Sequence, residues 1–478
     1  MAWMGVAINS PLLMSSTASG DLQHEFAELL VAPAPEALEQ GIYPEHRGPA
    51  AIEPRHYGRN LPGGYGMDPA KAFAWALLSL AAAAALGLLI LIAGLALLFA
   101  RAPRLAERPE LAADAAVALA NTSLTVVVPA YNEAANIAAC ITSVLRSEDP
   151  CGDWRVLLVD DRSTDATVAI AQQAAAACDA TQPRFELLDA GPRPVGERWV
   201  GKNWACSRAM EQVVSEWVLF VDADVRLQPA TLRRALAQAS TDGADLLSLA
   251  PQLSCGCLAE WMVQPIIASL LGLGFPIEAA NDPASAVAFA AGPFMLFRRS
   301  VYTAIGGHRA LAAEVVEDLA LARRIKQSGH RLRYLLGLDA LELRMYSDFA
   351  CLWEGWTKNW LLGLDGDVAK ALAASSVVLL MFSGPWLLTP AAAIAAALLA
   401  PTGLPGQQQL LLAALALALA GIGLQLVLRL WIRRQFQMPL TLWWLMGAGG
   451  LVVAAIGPVS VWRTLSGRSW TWKGRPLA

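Results

Sequence analysis

The stretch Val218–Leu227 reads VLFVDADVRL. Four apolar residues, Val218 to Val221, run directly into Asp222-Ala223-Asp224. A short apolar run that ends in acid reads as a buried parallel strand delivering carboxylates to its C-terminal edge, where open α/β sheets collect ligands. Two carboxylates one residue apart at such an edge suit a hard divalent cation holding a diphosphate. The motif is short, and a strand followed by a solvated acidic turn is an equally good reading of it alone.

Outward from this stretch, apolar runs and helical periods alternate. Leu124 to Val128 reads as a strand ended by Pro129, and Ala134 to Arg146 as a helix. Arg155 to Val159 is a second strand ending in Asp160-Asp161, followed by an Ala-rich helix over Asp165 to Ala177. Phe185 to Leu188 is a third strand, and Asn203 to Val214 a helix before the strand that reaches Asp222. This alternation predicts a mostly parallel sheet in one soluble domain over residues 122–345.

The flanks of that domain are apolar. Phe73 to Ala100 carries no charged residue and exceeds the ~20 residues that a bilayer requires. Arg101, Arg104 and Arg108 follow it, so the bias of basic residues puts everything after residue 100 in the cytoplasm. Residues 348–364 are Trp-rich, with Trp353, Trp356 and Trp360 on one face, which suits a helix in the headgroup layer; core packing is the alternative. Further spans are expected over 373–400, 410–428 and 439–462, with Gly384-Pro385 kinking the first of them. Three full spans leave the basic tail, 463–478, opposite Arg429, Arg433 and Arg434. A re-entrant hairpin about Gly447, Gly449 and Gly450 would bring both basic groups inside; three spans is the preferred reading. Residues 1–66 show no persistent period and are read as disordered, or as the product of a start upstream of Met67.

Composition agrees. The chain has 478 residues, 56% of them hydrophobic, and a mean hydropathy of +0.43, too apolar for an ordinary soluble protein. A net charge of −4 gives no reason to expect nucleic acid. The seven cysteines are scattered, and Cys255-Gly-Cys257 has no second pair to complete a zinc site. They lie in the soluble region, with Cys351 just beyond its end, as a reducing compartment allows.

Five blocks fall in order: TVVVPAYNEAANI at 125–137, LLVDDRSTDAT at 157–167, VGKNWACSRAM at 200–210, VLFVDADV at 218–225, and AGPFMLFRRSVYTAIGGH with EVVEDLALARRIKQSGHRL at 291–308 and 314–332. As a set they resemble the family 2 glycosyltransferases, inverting enzymes of the GT-A fold. The N-terminal span, the E-V-V-E-D-L block and the C-terminal W-K-G-R look most like the branch associated with hopanoid biosynthesis. The resemblance implies an α/β class: a GT-A (Rossmann-like) domain plus transmembrane α-helices, in an integral protein of a bacterial inner membrane.

The site residues follow from that resemblance. Pro129, Tyr131, Asn132 and Glu133, with Asp160 and Asp161, would hold the base and ribose of a nucleotide-diphosphate sugar, with UDP the expected nucleotide. Turn and cap roles are the alternatives, since Asn132 is a fair N-cap and Asp165 suits a first helical turn. Lys202, in the turn before a helix, would reach a donor phosphate. Asp222 and Asp224 would bind Mg²⁺ or Mn²⁺, neutralising charge on the leaving diphosphate. Asp318 would be the general base and Glu317 the second choice, although carboxylates at a helix N-terminus also serve as caps. Gly292 and His308 would shape the acceptor mouth, with a structural His the alternative for His308. Processive relatives carry Q-x-x-R-W, whereas this chain reads Trp356-Thr-Lys358-Asn-Trp360. Trp360 could stack on a sugar and Lys358 replace the Arg, but the missing motif favours one sugar moved to a lipid over polysaccharide synthesis. A non-catalytic scaffold with the nucleotide-sugar fold is the remaining alternative.

Overall fold

The computed structural model describes residues 68–107, 117, 119–178, 184–400, 405–468, 470–472 and 475–476; the expectation for residues 1–66 lies outside them. The soluble part is built on β1 (Ser123–Ala130), α2 (Ile137–Leu145), β2 (Asp153–Asp160), α3 (Thr167–Cys178), β3 (Phe185–Asp189), α4 (Gly201–Met210) and β4 (Trp217–Val221). Then come β5 (Val225–Leu227), α5 (Thr231–Thr241), β6 (Leu246–Ala250), β7 (Gln252–Leu253), α6 (Leu258–Gly274) and α7 (Ile277–Asn281). The remainder is β8 (Phe294–Arg298), α8 (Arg299–Ala304), α9 (Glu317–Gln327), β9 (Leu332–Leu336), β10 (Leu341–Leu343) and α10 (Phe349–Leu362). Around it lie α1 (Pro69–Arg101), α11 (Val368–Val378), α12 (Gly384–Leu399), α13 (Pro405–Phe436) and α14 (Met446–Leu465), then the short pair β11 (Thr471–Trp472) and β12 (Arg475–Pro476).

The seven-stranded sheet runs β3-β2-β1-β4-β8-β6-β9. All neighbours are parallel except at β8, which is antiparallel to β4 and to β6. The continuous apolar runs follow from cover on both faces. Val126, Val128, Val156, Leu158, Leu219 and Val221 enter one core, while Val127, Leu157, Val159, Val218 and Phe220 enter the other. Because β8 alone is reversed, its N-terminal end meets the C-terminal ends of β1, β2 and β4. Gly292-Pro293 therefore arrives beside Asp222, whose amide donates to the Pro293 carbonyl at 3.3 Å.

Among the described residues, four helical stretches are long and apolar enough to cross a membrane: Pro69–Arg101, Val368–Leu399, Gly406–Phe436 and Trp443–Leu465. The irregularity expected at Gly384-Pro385 takes the form of a π-helical turn over Leu379–Ser383, joining α11 to α12. The three C-terminal spans expected all have helices of sufficient length and apolarity, and the path of the chain bears on the re-entrant alternative. The end of α13 touches the soluble domain, where Arg104 Nη2 donates to Gln435 Oε1 and Gln252 Nε2 to the Phe436 carbonyl, both at 3.2 Å. The chain then turns back along α13, and Arg429 Nη2 donates to the carbonyls of Pro439 and Thr441. Helix α14 runs antiparallel to α11–α12: the Ser383 hydroxyl donates to the Gly447 carbonyl at 2.8 Å, and the Leu361 amide to Ser460 Oγ at 3.2 Å. Beyond α14, Thr471 hydrogen-bonds Glu354 and Arg475 reaches Asp161. Both flanks of α14 thus lie on the domain's side, which is the re-entrant arrangement. Hydropathy cannot separate it from a span, because length and apolarity are the same in both.

Candidate active site

The C-terminal edge of β1, β2 and β4, the start of β8 and the N-terminus of α9 enclose a polar cavity of about 320 Å³. Pro129, Tyr131, Glu133, Asp161, Lys202, Asp222, Asp224, Gly292, Glu317 and Asp318 line it, so most of the expected residues converge. Lys202 lies in the first turn of α4 rather than in a preceding turn. Its Nζ is 2.6 Å from Asp222 Oδ1 and 2.7 Å from Glu317 Oε1. Burial pulls its pKa down, but these two carboxylates outweigh it and hold the ammonium well above its ordinary value. Lys202 therefore ties the metal-motif turn to α9.

The adjacent acids of α9 are in different states. Burial would raise Glu317, but Lys202 dominates and holds it below the usual range. Burial, and then the charge of Glu317, push Asp318 up to about 6. Asp318 Oδ2 accepts from the Gly292 amide at 3.1 Å and Oδ1 from its neighbour Leu319 at 2.7 Å. A Cβ at position 292 would stand 3.0 Å from Asp318 Oδ2, so glycine there admits the carboxylate.

Asp224 carries the mark of an ion site. Its Oδ1 is buried without a hydrogen-bond partner among the described residues, and burial, Asp222 and Glu133 together push its pKa well above the ordinary value. A cation would remove that penalty, so the residues fit one. Among the described residues no cluster of three or more His, Cys, Asp or Glu could hold a metal alone. Two carboxylates leave the remaining positions of a hard cation to phosphate oxygens and water.

Several expected residues stand elsewhere. Asp160 accepts from the Ser163 amide at 3.1 Å, and Asn132, at a positive φ of 51°, accepts from the Thr164 amide at 2.8 Å. Both fix the loops behind the cavity rather than lining it. His308, expected at the acceptor mouth, is buried in the sheet's core: Nδ1 is 2.7 Å from the Tyr302 hydroxyl and the ring packs edge-on against Phe220. Burial pulls its pKa to about 3, keeping it neutral. Trp360 packs against the membrane helices, its indole donating to the Ala371 carbonyl at 3.2 Å, so it does not present a sugar platform. Trp356 donates to Gln264 Oε1 at 2.9 Å and lines a second cavity.

That second cavity, about 300 Å³, is apolar. Leu95 and Phe99 of α1, Gly272 and Phe275 near the end of α6, and Trp431 and Phe436 of α13 contribute to its wall. Gly292, Pro293, Val316, Asp318 and Asn359 line both cavities. Asp318 therefore stands where a polar chamber meets an apolar one flanked by membrane-type helices.

The sequence reading missed Arg193, Asn359 and Arg475 among the polar cavity's residues. Arg193 lies in an irregular stretch after β3, and Arg475 in a strand pair too short to show a period. The W-K-G-R block was the available signal for Arg475; it entered the family resemblance and the basic tail but was given no place in the site.

Residues 125–306 match the family described as Glycosyl transferase family 2. A 4,4'-diaponeurosporenoate glycosyltransferase of Staphylococcus aureus (strain MRSA252) is 27% identical over 263 residues, covering 54% of this chain and 66% of that protein, just under two thirds of its length. Among solved structures, a mannosyltransferase of Pyrobaculum calidifontis in complex with GDP-Man and Mn²⁺ is 18% identical, with a TM-score of 0.44, over 84% of this chain and 99% of that one. A glucosyl-3-phosphoglycerate synthase of Mycobacterium tuberculosis with Mn²⁺, UDP and phosphoglyceric acid is 17% identical, with a TM-score of 0.32, over 49% of this chain and 76% of that one. Residues 125–306 are thus similar to the family 2 glycosyltransferases, in a chain whose flanking helices are long and apolar enough to cross a membrane.

Proposed function

We propose that the protein is a membrane-anchored, metal-dependent, inverting glycosyltransferase that moves one sugar from a nucleotide-diphosphate sugar to a lipid. UDP is the first nucleotide to test, and a hopanoid or other polyprenoid the first acceptor, by the sequence resemblance and by a relative named for 4,4'-diaponeurosporenoate. The domain would face the cytoplasm of a bacterial inner membrane. The observation that carries the reading is Asp318 at the junction of a polar and an apolar cavity. A sugar donor requires the first, an apolar acceptor the second, and a base must reach both.

Asp222 and Asp224 would hold a divalent cation, which when bound supplies charge neutralisation at the donor diphosphate. Asp318 takes the proton of the acceptor hydroxyl, whose oxygen forms the new bond to the anomeric carbon. The bond from that carbon to the phosphate oxygen breaks, and its electron pair leaves with the nucleoside diphosphate. One in-line displacement inverts the centre without a covalent glycosyl-enzyme. Lys202 and Glu317 fix the relative placement of the metal turn and the base helix.

The test uses the full chain in detergent with total bacterial lipid, labelled nucleotide sugars, Mg²⁺ or Mn²⁺, and an Asp318→Asn control. A single labelled lipid, lost in the control and on chelation, is expected. Labelled high-molecular-weight material would replace this reading with polysaccharide synthesis. Incorporation unchanged in the control would remove Asp318 from its role.

A further inference from the structure

Two arginines share one carboxylate oxygen at the wall of the polar cavity. Arg193 Nη2 donates to Asp161 Oδ2 at 2.9 Å. Arg475 Nη1 donates to the same oxygen at 2.8 Å and to the Asp161 backbone carbonyl at 3.0 Å. Oδ1 of the same carboxylate is buried with no hydrogen-bond partner among the described residues, and Asp161 is only 3% exposed. A buried carboxylate oxygen left bare is unfavourable until a donor reaches it. Gly201 permits the arrangement, since a Cβ there would stand 2.5 Å from Oδ2 and 2.8 Å from Arg193 Nη2. The Arg475 guanidinium also lies 4.9 Å from the centre of the Tyr131 ring. It reaches this place because α14 returns the chain to the domain, where Thr471 also hydrogen-bonds Glu354 of α10.

We propose that Arg475 is a positioning residue for the donor nucleotide: with Arg193 it saturates Oδ2 and so presents Asp161 Oδ1 to an N–H or O–H of the bound nucleoside. This rests on reading the polar cavity as the donor site. Arg475 acts through Asp161 and does not line the apolar cavity that Asp318 borders, so its loss changes donor binding and leaves the chemical step and the acceptor alone. The donor site is then complete only when the segment after the last membrane helix is in place.

The test is calorimetric titration of the full chain in detergent with UDP and with GDP, each with Mn²⁺, for wild type, Arg475→Ala, Arg475→Lys, Asp161→Asn and the double variant. Losing a charge-assisted contact predicts about tenfold weaker nucleotide binding in Arg475→Ala. Donor KM should rise by the same factor, with kcat and acceptor KM unchanged. Arg475→Lys keeps the charge without the second hydrogen bond and should fall between. Because both residues act through one oxygen, Asp161→Asn with Arg475→Ala should bind no more weakly than Asp161→Asn alone. Wild-type affinity in Arg475→Ala, or losses that add in the double variant, would overturn the inference. If the wild type binds neither nucleotide, the donor-site reading itself falls, and the inference with it.

Discussion

Glu317 and Asp318 are neighbours in sequence, but only Glu317 has the Lys202 ammonium at 2.7 Å. Of the two, Asp318, whose carboxyl is pushed up to about 6, is the one that can both lose and regain a proton near neutrality, as the proposed base must. A raised acid is protonated below that pH, so activity should climb as pH rises through about 6 and reach a plateau above it. A pH–rate profile of kcat checks this. Linkage gives the companion sign. Asp318 binds its proton more tightly folded than unfolded, so it favours folding at low pH and loses that contribution between its ordinary value and about 6. Asp318→Asn should thus abolish transfer while raising stability at pH 7 by up to about 3 kcal/mol, read by thermal unfolding at pH 7 and pH 5. Asp224 predicts a similar trade. Its uncompensated Oδ1 should make Asp224→Asn more stable than wild type without metal. Mn²⁺ with UDP should raise the melting temperature of the wild type and leave that of Asp224→Asn unmoved. These acids were legible because each ends or begins a regular element beside an apolar run. His308 was not: Gly306-Gly307-His308 reads the same whether the ring faces a ligand or, as here, packs against Phe220.

Helix α14 is packed through glycines, and their surroundings rank the cost of replacing them. A Cβ at Gly449 would overlap the carbonyl oxygen of Met262, a backbone atom of α6 that cannot rotate away. At Gly423 in α13 nothing lies within 4 Å. Gly449→Ala should therefore destabilise the protein by about 1–3 kcal/mol through overpacking. Gly423→Ala should be neutral or stabilise by up to about 1 kcal/mol through helix propensity. Thermal unfolding of both variants in one detergent tests the contrast, and equal effects would remove the α14–α6 contact from the account. Elements of the sheet were readable because period and strand-end acids coincide. Strand β8 shows why part of the topology was not: its reversal depends on pairing with β4 and β6 from distant sequence, and nothing within Phe294–Arg298 signals direction.

At the scale of the molecule, the distribution of basic residues and the path of the chain solve one problem together. With a full crossing by α14, Arg433 and Arg434 would face one side of a bilayer and Arg463, Arg468 and Arg475 the other, against the bias of basic residues toward the cytoplasm. The re-entrant path would put all five on the side of the sheet domain. It also leaves extended backbone at membrane depth, which is tolerated only where its polar groups find partners within the protein. The buried Arg429 supplies them, donating to the carbonyls of Pro439 and Thr441. Reporter fusions distinguish the two paths. A fusion after Leu399, at the far end of α12, should report the compartment opposite the domain. Fusions after Gln437 and after Gly467 should both report the domain's compartment, the cytoplasm on the proposed orientation. Opposite signals at Gln437 and Gly467 would require α14 to cross, and Arg475 could not then reach Asp161.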